Sequence, residues 1–353
     1  MCGIVCYIGN KPAKQILLEG LKRLEYRGYD SAGLAVQDGK KISWQRAVGK
    51  IAELERRVNG MDMKGTSGIA HTRWATHGEP TEENAHPQVD PEQNVFVIHN
   101  GIIENYHTLK RRLEKKGVEF RSETDTEVLA HLIAMNFEGD LSQAVRNTML
   151  QVEGTFGIGV MHRETPGELV VARRGSPLII GVSDVGHFVA SDVAAMVRYT
   201  DQVVHLQENE LARVTADGFT ISTVQAKFVE RTTETVEWQA EDAELNGLPH
   251  FMPKEIYEQT MTIKNALRGR LEPGEGVPKL GGIIPVWERL MACRHMVIVA
   301  CGTSYFAGCV GRYIFEKLTE IDVEVELASE FRYRKLNFPP NPFIIAISQS
   351  GET

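Results

Sequence analysis

Apolar and polar residues alternate with two different periods along the first part of the chain. Up to about residue 230, short apolar runs between turn-forming clusters predict β-strands at 4–8, 34–36, 68–70, 95–98, 156–161, 169–172, 178–180, 188–190 and 203–206. Apolar residues spaced three and four apart predict helices at 13–24, 106–116, 126–136 and 141–151. The mixture predicts an α+β domain of stacked sheets flanked by helices.

The pattern changes after an acidic, polar stretch. Residues 232–249 carry few apolar positions and end in a turn-forming Asn-Gly-Leu-Pro, so we expect a linker there. Beyond it, a helix at 254–267 is followed by a strand at 296–300, a helix at 304–318 and strands at 323–327 and 343–347. This alternation predicts a parallel α/β sheet. We therefore expect domains at 2–231 and 250–353, the second one incomplete because the chain stops just after a strand.

Composition narrows the class of protein. The 353 residues suffice for about two domains. A net charge of -8 argues against nucleic acid or an anionic membrane as a partner. No apolar run approaches the ~20 residues that span a bilayer, and no signal peptide is evident, so we expect a cytoplasmic protein. The five cysteines are scattered without metal-ligand spacing, which predicts reduced thiols and no metal or other cofactor.

Cys2 is the first candidate for chemistry. Removal of Met1 would place a thiol and a free α-amine on one residue. The amine titrates near ~8 and the thiol near ~8.5, so an unprotonated amine can accept the thiol proton, through water. The alternative is that Cys2 is a small buried residue at the start of a strand.

Three polar stretches flank predicted strands or helices. Arg73 lies in the stretch 71–78, where its planar guanidinium suits a substrate carboxylate, although a lone arginine is often a surface ion pair. Asn100 and Gly101 could form an oxyanion hole or simply a tight turn. Asp125 opens a helix between Thr124 and Glu127, which are spaced as a capping box. It suits a substrate ammonium, and pure capping is the alternative.

Two further loops suit a phosphate. Residues 301–304 and 348–353 each follow a predicted parallel strand and carry hydroxyl side chains and backbone N–H groups. They lack the lysine of a Walker loop, and serine-rich turns are the alternative interpretation.

Together these motifs resemble a known enzyme family. Cys2-Gly3-Ile4-Val5, with the stretches YRGYDSAG (26–33), HTRWATHG (71–78), NAHP (84–87), HNGIIE (99–104) and ETDTE (123–127), resembles class II glutamine amidotransferases, which have an N-terminal-nucleophile hydrolase fold. The stretches 300–305, 328–333 and 348–353 resemble the first sugar isomerase (SIS) half of the glutamine:fructose-6-phosphate aminotransferases. The resemblance covers the whole chain.

The resemblance implies specific roles. Cys2 would attack the glutamine amide, Asn100 and Gly101 would hold the oxyanion, and Arg73 and Asp125 would bind the α-carboxylate and α-ammonium. The remaining implied residues are Thr76 and His77 in the glutamine pocket, Trp74 at the gate between the two sites, Arg27 and Gly28 around the nucleophile, and Thr303, Ser304, Ser348, Gln349, Ser350 and Thr353 at the sugar phosphate.

The implied reaction converts L-glutamine and D-fructose 6-phosphate into L-glutamate and D-glucosamine 6-phosphate, a step of amino sugar and UDP-N-acetylglucosamine biosynthesis. The family's second SIS half, with its acid–base groups and Schiff-base lysine, would follow Thr353. We therefore expect this chain alone to support only the glutaminase half, and a homodimer in the full-length protein.

Two other functions compete with this interpretation. An amidotransferase that makes phosphoribosylamine would need an acidic pyrophosphate-binding motif, which the loops at 301 and 348 lack. A sugar-phosphate sensor would carry a helix-turn-helix head in the position that the Cys2 domain occupies. Glutamine hydrolysis by the purified chain distinguishes the enzymes from the sensor.

Overall fold

Two antiparallel sheets dominate the first part of the chain. The structure, a computed structural model, describes residues 2–74, 78–235, 248–267, 270, 281–335 and 337–348. The chain divides into two units, Met1–Gly247 and Leu248–Thr353. The strands of the first unit are β1 (Gly3–Gly9), β2 (Ser31–Asp38), β3 (Lys41–Val48), β4 (Ser67–Arg73), β5 (Gln88–Val89), β6 (Val95–Ile103), β7 (Gly154–His162), β8 (Leu169–Arg174), β9 (Ile179–Ser183), β10 (Gly186–Ala190), β11 (Gln202–His205), β12 (Glu210–Val214), β13 (Phe219–Thr223), β14 (Phe228–Val229) and β15 (Glu234–Thr235).

Five α-helices accompany these strands in the described part of the first unit. They are α1 (Ala13–Leu24), α2 (Ile51–Val58), α3 (Tyr106–Glu114), α4 (Glu127–Asn136) and α5 (Leu141–Met149). One sheet has the strand order β15-β11-β9-β10-β1-β4-β2-β3 and the other β14-β13-β12-β8-β7-β6-β5. The segment 234–235, inside the predicted linker, thus pairs with β11.

Side chains that alternate along each strand bind the layers together. On β1, Ile4, Cys6 and Ile8 face the second sheet and pack among residues such as Phe96 and Ile98 of β6. Val5 and Tyr7 face the opposite way, toward apolar residues of α1 and α2. The second sheet buries its outer face against α3, α4 and α5. The predicted stacked sheets flanked by helices are confirmed as a four-layer arrangement.

Some predicted boundaries were wrong, and some elements of the structure were not predicted. Helices α3 and α5 each end two residues before the predicted ends at 116 and 151. The edge strand β3 was missed because most of its side chains are only half-buried, so that polar residues interrupt the apolar pattern. Helix α2 was also missed, although Ile51, Leu54 and Val58 are buried at the spacing of one helix face. Strands β12 and β13 were missed as well.

The second unit contains a small parallel sheet. Its elements are α6 (Phe251–Leu267), α7 (Trp287–Met291), β16 (His295–Ala300), α8 (Gly302–Leu318), β17 (Asp322–Leu327), α9 (Ala328–Phe331) and β18 (Phe343–Ile347). The strand order is β17-β16-β18, and both pairings are parallel, as predicted. Helix α8 packs on this sheet closely enough that Gly308 lies against Ile298 and Val325. Within the described residues, no helix has the length and apolar character needed to cross a bilayer.

Candidate active site

Cys2 lies next to the end of β4 because of the register between two neighbouring strands. Gly3 of β1 pairs with Thr72 of β4 in an antiparallel sense, so Cys2 meets the residues that follow Thr72. The Trp74 N–H donates to Cys2 Sγ over 3.2 Å, and the thiol lies 3.5 Å from the Trp74 carbonyl oxygen. Burial raises the pKa of the Cys2 thiol above its ordinary value. The thiol is therefore protonated at neutral pH and needs a base before it can attack.

Asn100 and Gly101 are brought to the same place by β6. Asn100 Nδ2 donates to the Cys2 carbonyl oxygen over 3.1 Å. Gly101 has a φ of 133°, and a Cβ added there would overlap the backbone carbonyl oxygen of Thr155. Both arguments restrict this position to glycine. Asn100 and Gly101 are residues of a continuous strand, so the alternative of a tight hairpin turn is wrong.

Arg73 is the last residue of β4 and is almost completely buried. Its exposed fraction is 3%, which excludes the surface ion pair that a lone arginine suggests. Its guanidinium donates to the carbonyl oxygens of Gly78 (3.1 Å) and Glu79 (3.2 Å). The predicted pocket residues Thr76 and His77 lie outside the described residues.

Asp125 is buried beside the far end of β6. Its exposed fraction is 5%, and Oδ2 accepts a hydrogen bond from the Ile103 N–H over 2.7 Å. Ile103 lies on the same strand as Asn100 and Gly101. The strand therefore carries the oxyanion candidates and also anchors the ammonium candidate.

The predicted capping box is wrong. Helix α4 begins at Glu127, later than the box requires, and Thr124 bonds to the Ser122 hydroxyl over 2.9 Å. The Glu127 carboxylate accepts from the N–H groups of Arg121 (2.8 Å) and Ser122 (2.6 Å). The segment before the helix folds back onto Glu127, because that carboxylate satisfies two backbone donors of the loop at once.

Arg27 ends a short 3₁₀ helix (Glu25–Arg27), and Gly28 follows it in a segment that packs against the backbone beside the nucleophile. The buried Arg27 forms an ion pair with Asp192 at 2.9 Å. A Cβ on Gly28 would lie 2.8 Å from the carbonyl carbon of Arg73 and 3.0 Å from Trp74 N. This glycine therefore permits the close approach of its loop to the backbone that contacts Cys2. The half-exposed Trp74 ring meets Tyr29 edge-on, with centroids 5.3 Å apart.

Asn84 is a site residue to which sequence reasoning assigned no role. Its Oδ1 accepts the Glu123 N–H over 2.9 Å, and its Nδ2 donates to the Glu79 carbonyl oxygen over 3.0 Å. It thus joins the loop held by Arg73 to the loop that carries Asp125. The NAHP motif at 84–87 marked this position only through the resemblance.

The candidate phosphate loops meet at one edge of the parallel sheet. Thr303 and Ser304 lie in the first turn of α8, and Ser348 directly follows β18. Ala300 is in register with Ile347, so both loops leave the sheet at the carboxyl ends of adjacent strands. Gln349, Ser350 and Thr353 lie outside the described residues.

Comparisons with known proteins follow the division into two units. A family model described as a glutamine amidotransferase domain matches residues 54–237, and an SIS domain model matches 289–353. Proteins named glutamine–fructose-6-phosphate aminotransferase (isomerizing) are 44% identical in Clostridium acetobutylicum, 46% in Clostridium tetani and 45% in Aquifex aeolicus. Each match covers 100% of this chain, and the chain spans 58% of each relative.

Solved structures support the architecture. Glutamine phosphoribosylpyrophosphate amidotransferase from B. subtilis matches with a TM-score of 0.59 and 22% identity, over 92% of this chain and 65% of that one. A structure described as the allosteric regulatory enzyme of purine biosynthesis matches with a TM-score of 0.60, 23% identity and the same two coverages. Likeness at this identity concerns the fold alone. With the family matches, it confirms the predicted N-terminal-nucleophile hydrolase fold followed by an SIS region.

Proposed function

Because the chain belongs to the glutamine amidotransferase domain family, we propose that it hydrolyses L-glutamine with Cys2 as the nucleophile. Cys2 Sγ attacks the side-chain amide carbon while the thiol proton passes to the α-amine of the same residue. The tetrahedral intermediate collapses and expels ammonia, which takes up that proton. Water then hydrolyses the γ-glutamyl thioester to L-glutamate and regenerates the thiol.

We assign the base role to the α-amine, because the described residues offer the sulfur no side-chain hydrogen-bond acceptor. Within the described part of the chain, the hydrogen bonds of Cys2 Sγ go to the Trp74 backbone alone. A thiol with a raised pKa still needs a proton acceptor. Removal of Met1 would create one on Cys2 itself.

One observation carries the proposal, the hydrogen bond from Asn100 Nδ2 to the Cys2 carbonyl oxygen at 3.1 Å. An amide nitrogen has two protons, so the second N–H is available to a developing oxyanion beside the nucleophile. We assign Gly101 N–H as the other donor. Loss of one such donor typically raises the barrier by ~3 kcal/mol.

We assign the recognition of the glutamine substrate to two buried charged side chains. Arg73 would receive the α-carboxylate of glutamine and Asp125 its α-ammonium, because each is a buried charged group within or beside the strands that present Cys2 and Asn100. Thr76, His77 and the gate role of Trp74 stay predictions from the resemblance.

For the ammonia acceptor we propose fructose 6-phosphate, giving glucosamine 6-phosphate for amino sugar biosynthesis. The support is the SIS match at 289–353 and relatives that carry this activity in their names. Thr303, Ser304 and Ser348 supply hydroxyls at one sheet edge for the sugar phosphate, together with the predicted Gln349, Ser350 and Thr353. The homodimer and the cytoplasmic location stay predictions.

Glutamate release by the purified chain tests the glutaminase proposal. Cys2→Ala should abolish release, whereas Cys6→Ala should retain it, because Cys6 is fully buried between the sheets. Equal turnover by Cys2→Ala and the parent would contradict the proposal. The identity of the ammonia acceptor is tested separately, with glutamine that carries heavy nitrogen in its side-chain amide. Label in glucosamine 6-phosphate made by a chain of the relatives' length supports fructose 6-phosphate, and label found only in free ammonia contradicts it.

A further inference from the structure

A cluster of buried histidines lies directly behind the candidate oxyanion hole. His71 is fully buried on β4, and its Nε2 lies 2.9 Å from Asn100 Oδ1. His86 packs against it with ring centroids 4.2 Å apart. His86 Nε2 and His99 Nδ1 both bond to the Thr126 hydroxyl, at 3.0 and 2.9 Å. Of the three histidines, His71 is the one that contacts Asn100.

The protonation of His71 follows from its partners. Burial lowers the pKa of His71 to about 3, so the ring is neutral at pH 7 and carries one proton. A side-chain Oδ1 only accepts hydrogen bonds, so the contact with Asn100 requires that proton on Nε2.

This bond fixes which way the Asn100 amide points. In the observed orientation, Oδ1 accepts from His71 and Nδ2 donates to the Cys2 carbonyl oxygen. A flipped amide would set Oδ1 against the Cys2 carbonyl oxygen and Nδ2 against the N–H of His71, with both contacts repulsive. The flip would also present an acceptor, instead of a donor, to an oxyanion.

We infer that His71 is a positioning residue that locks the Asn100 amide with its N–H group toward the oxyanion of the glutamine intermediate. The inference rests on the proposed glutaminase function and extends it to a residue that touches neither the substrate nor the sulfur.

Two substitutions at His71 distinguish the loss of the N–H donor from the loss of the imidazole ring. His71→Leu removes the N–H, and His71→Gln places an amide nitrogen at about the reach of Nε2. Removing an oxyanion donor outright reduces kcat by about 10²–10³. His71 acts only on the placement of that donor, so we expect kcat of His71→Leu to fall about tenfold. KM should stay unchanged, because the substrate contacts are elsewhere, and His71→Gln should recover most of the loss.

A double-mutant cycle shows whether the effect passes through Asn100. In an Asn100→Ala background, His71→Leu should cost no further kcat, because the amide that it positions is already gone. His187→Leu is the structural control. His187 is a buried histidine opposite Ile8, at the other end of β1, and its Nδ1 contacts the Thr215 carbonyl oxygen. The His187→Leu substitution should lower the melting temperature and leave kcat unchanged.

The outcomes distinguish this inference from the proposed function. No glutamate release by the parent chain overturns both. Release by the parent with an unchanged kcat in His71→Leu, or with losses that add to those of Asn100→Ala, overturns the inference alone. Should His71→Leu not fold, His71→Asn replaces it, since its shorter amide cannot reach Asn100. Equal kcat in the Asn and Gln variants then overturns the inference. The rate of Cys2 alkylation by iodoacetamide should match the parent in every folded variant, and a large drop would indicate a collapsed site instead.

Discussion

Replacing Asp125 by asparagine removes a negative charge with little change in shape. The carboxylate accepts the Ile103 N–H at 2.7 Å, and an asparagine oxygen can accept the same bond. What is lost is the charge proposed to face the substrate ammonium. A hydrogen bond to a charged group contributes ~1.5–3 kcal/mol and a neutral one ~1 kcal/mol. The difference of about 0.5–2 kcal/mol predicts a rise in the KM for glutamine of about 2- to 30-fold.

The turnover number should respond differently from KM. The ammonium is remote from the reacting amide, so Asp125 binds the ground state and the transition state about equally, and kcat should stay within about twofold of the parent. Steady-state glutamate release over a range of glutamine concentrations gives both constants.

Asp90 provides a matched control. It is equally buried, and its carboxylate accepts the N–H groups of Asn94 (2.7 Å) and Val95 (2.6 Å) at the opposite end of β6 from Ile103. Asp90→Asn should lower the free energy of unfolding without changing KM. An unchanged KM in Asp125→Asn, or an equal rise in both variants, would refute the assignment of Asp125 to the ammonium.

Three further predictions follow from other contacts. Gly101→Ala should reduce kcat by at least about 100-fold, because the added Cβ would overlap the Thr155 carbonyl oxygen. Gly39 is the control, since its φ is 55° and a Cβ there would meet open space, so Gly39→Ala should retain activity. Equal kcat values in the two variants would contradict this prediction. Arg73→Lys should raise the KM for glutamine by about tenfold or more, because an ammonium cannot reproduce the planar fork, and an unchanged KM would disprove the carboxylate role. Burial lowers the pKa of His71 to about 3 and holds the pKa of His86 well below its usual range, so below pH ~6.5 the unfolded chain binds more protons than the folded one. The free energy of unfolding should then fall by up to about 1.4 kcal/mol per pH unit per histidine, and His86→Gln should flatten that slope in urea titrations between about pH 7 and 5.

The layered fold was predictable where both faces of a strand are buried. Strand β1 is buried along almost its whole length, which produces the continuous apolar run at its start. Strand β3 was not predicted, because an edge position leaves its side chains half-exposed and a polar edge has no clear periodicity. The helix boundaries at 116 and 151 were misplaced because local pattern does not specify where a helix ends.

The site was predictable only in part, for a different physical reason. Cys2, Arg73, Asn100 and Asp125 carry chemistry that their residue types and loops indicate. The residue type and loop of Asn84 do not indicate its role, because that role comes from contact with Glu123, which is 39 residues away in sequence. The lock on Asn100 likewise depends on a contact between β4 of one sheet and β6 of the other, which no local motif contains.

The most direct test of the account is the turnover of two chains that differ only at the amino terminus. One is processed so that Cys2 is the first residue, and the other keeps Met1, with intact mass confirming each. We expect glutamate release and a γ-glutamyl adduct on Cys2 for the first chain, and neither for the second, whose Cys2 nitrogen is an amide and cannot accept the thiol proton. Equal glutamate release by the chain that retains Met1 would contradict the proposal that Cys2 is both nucleophile and base.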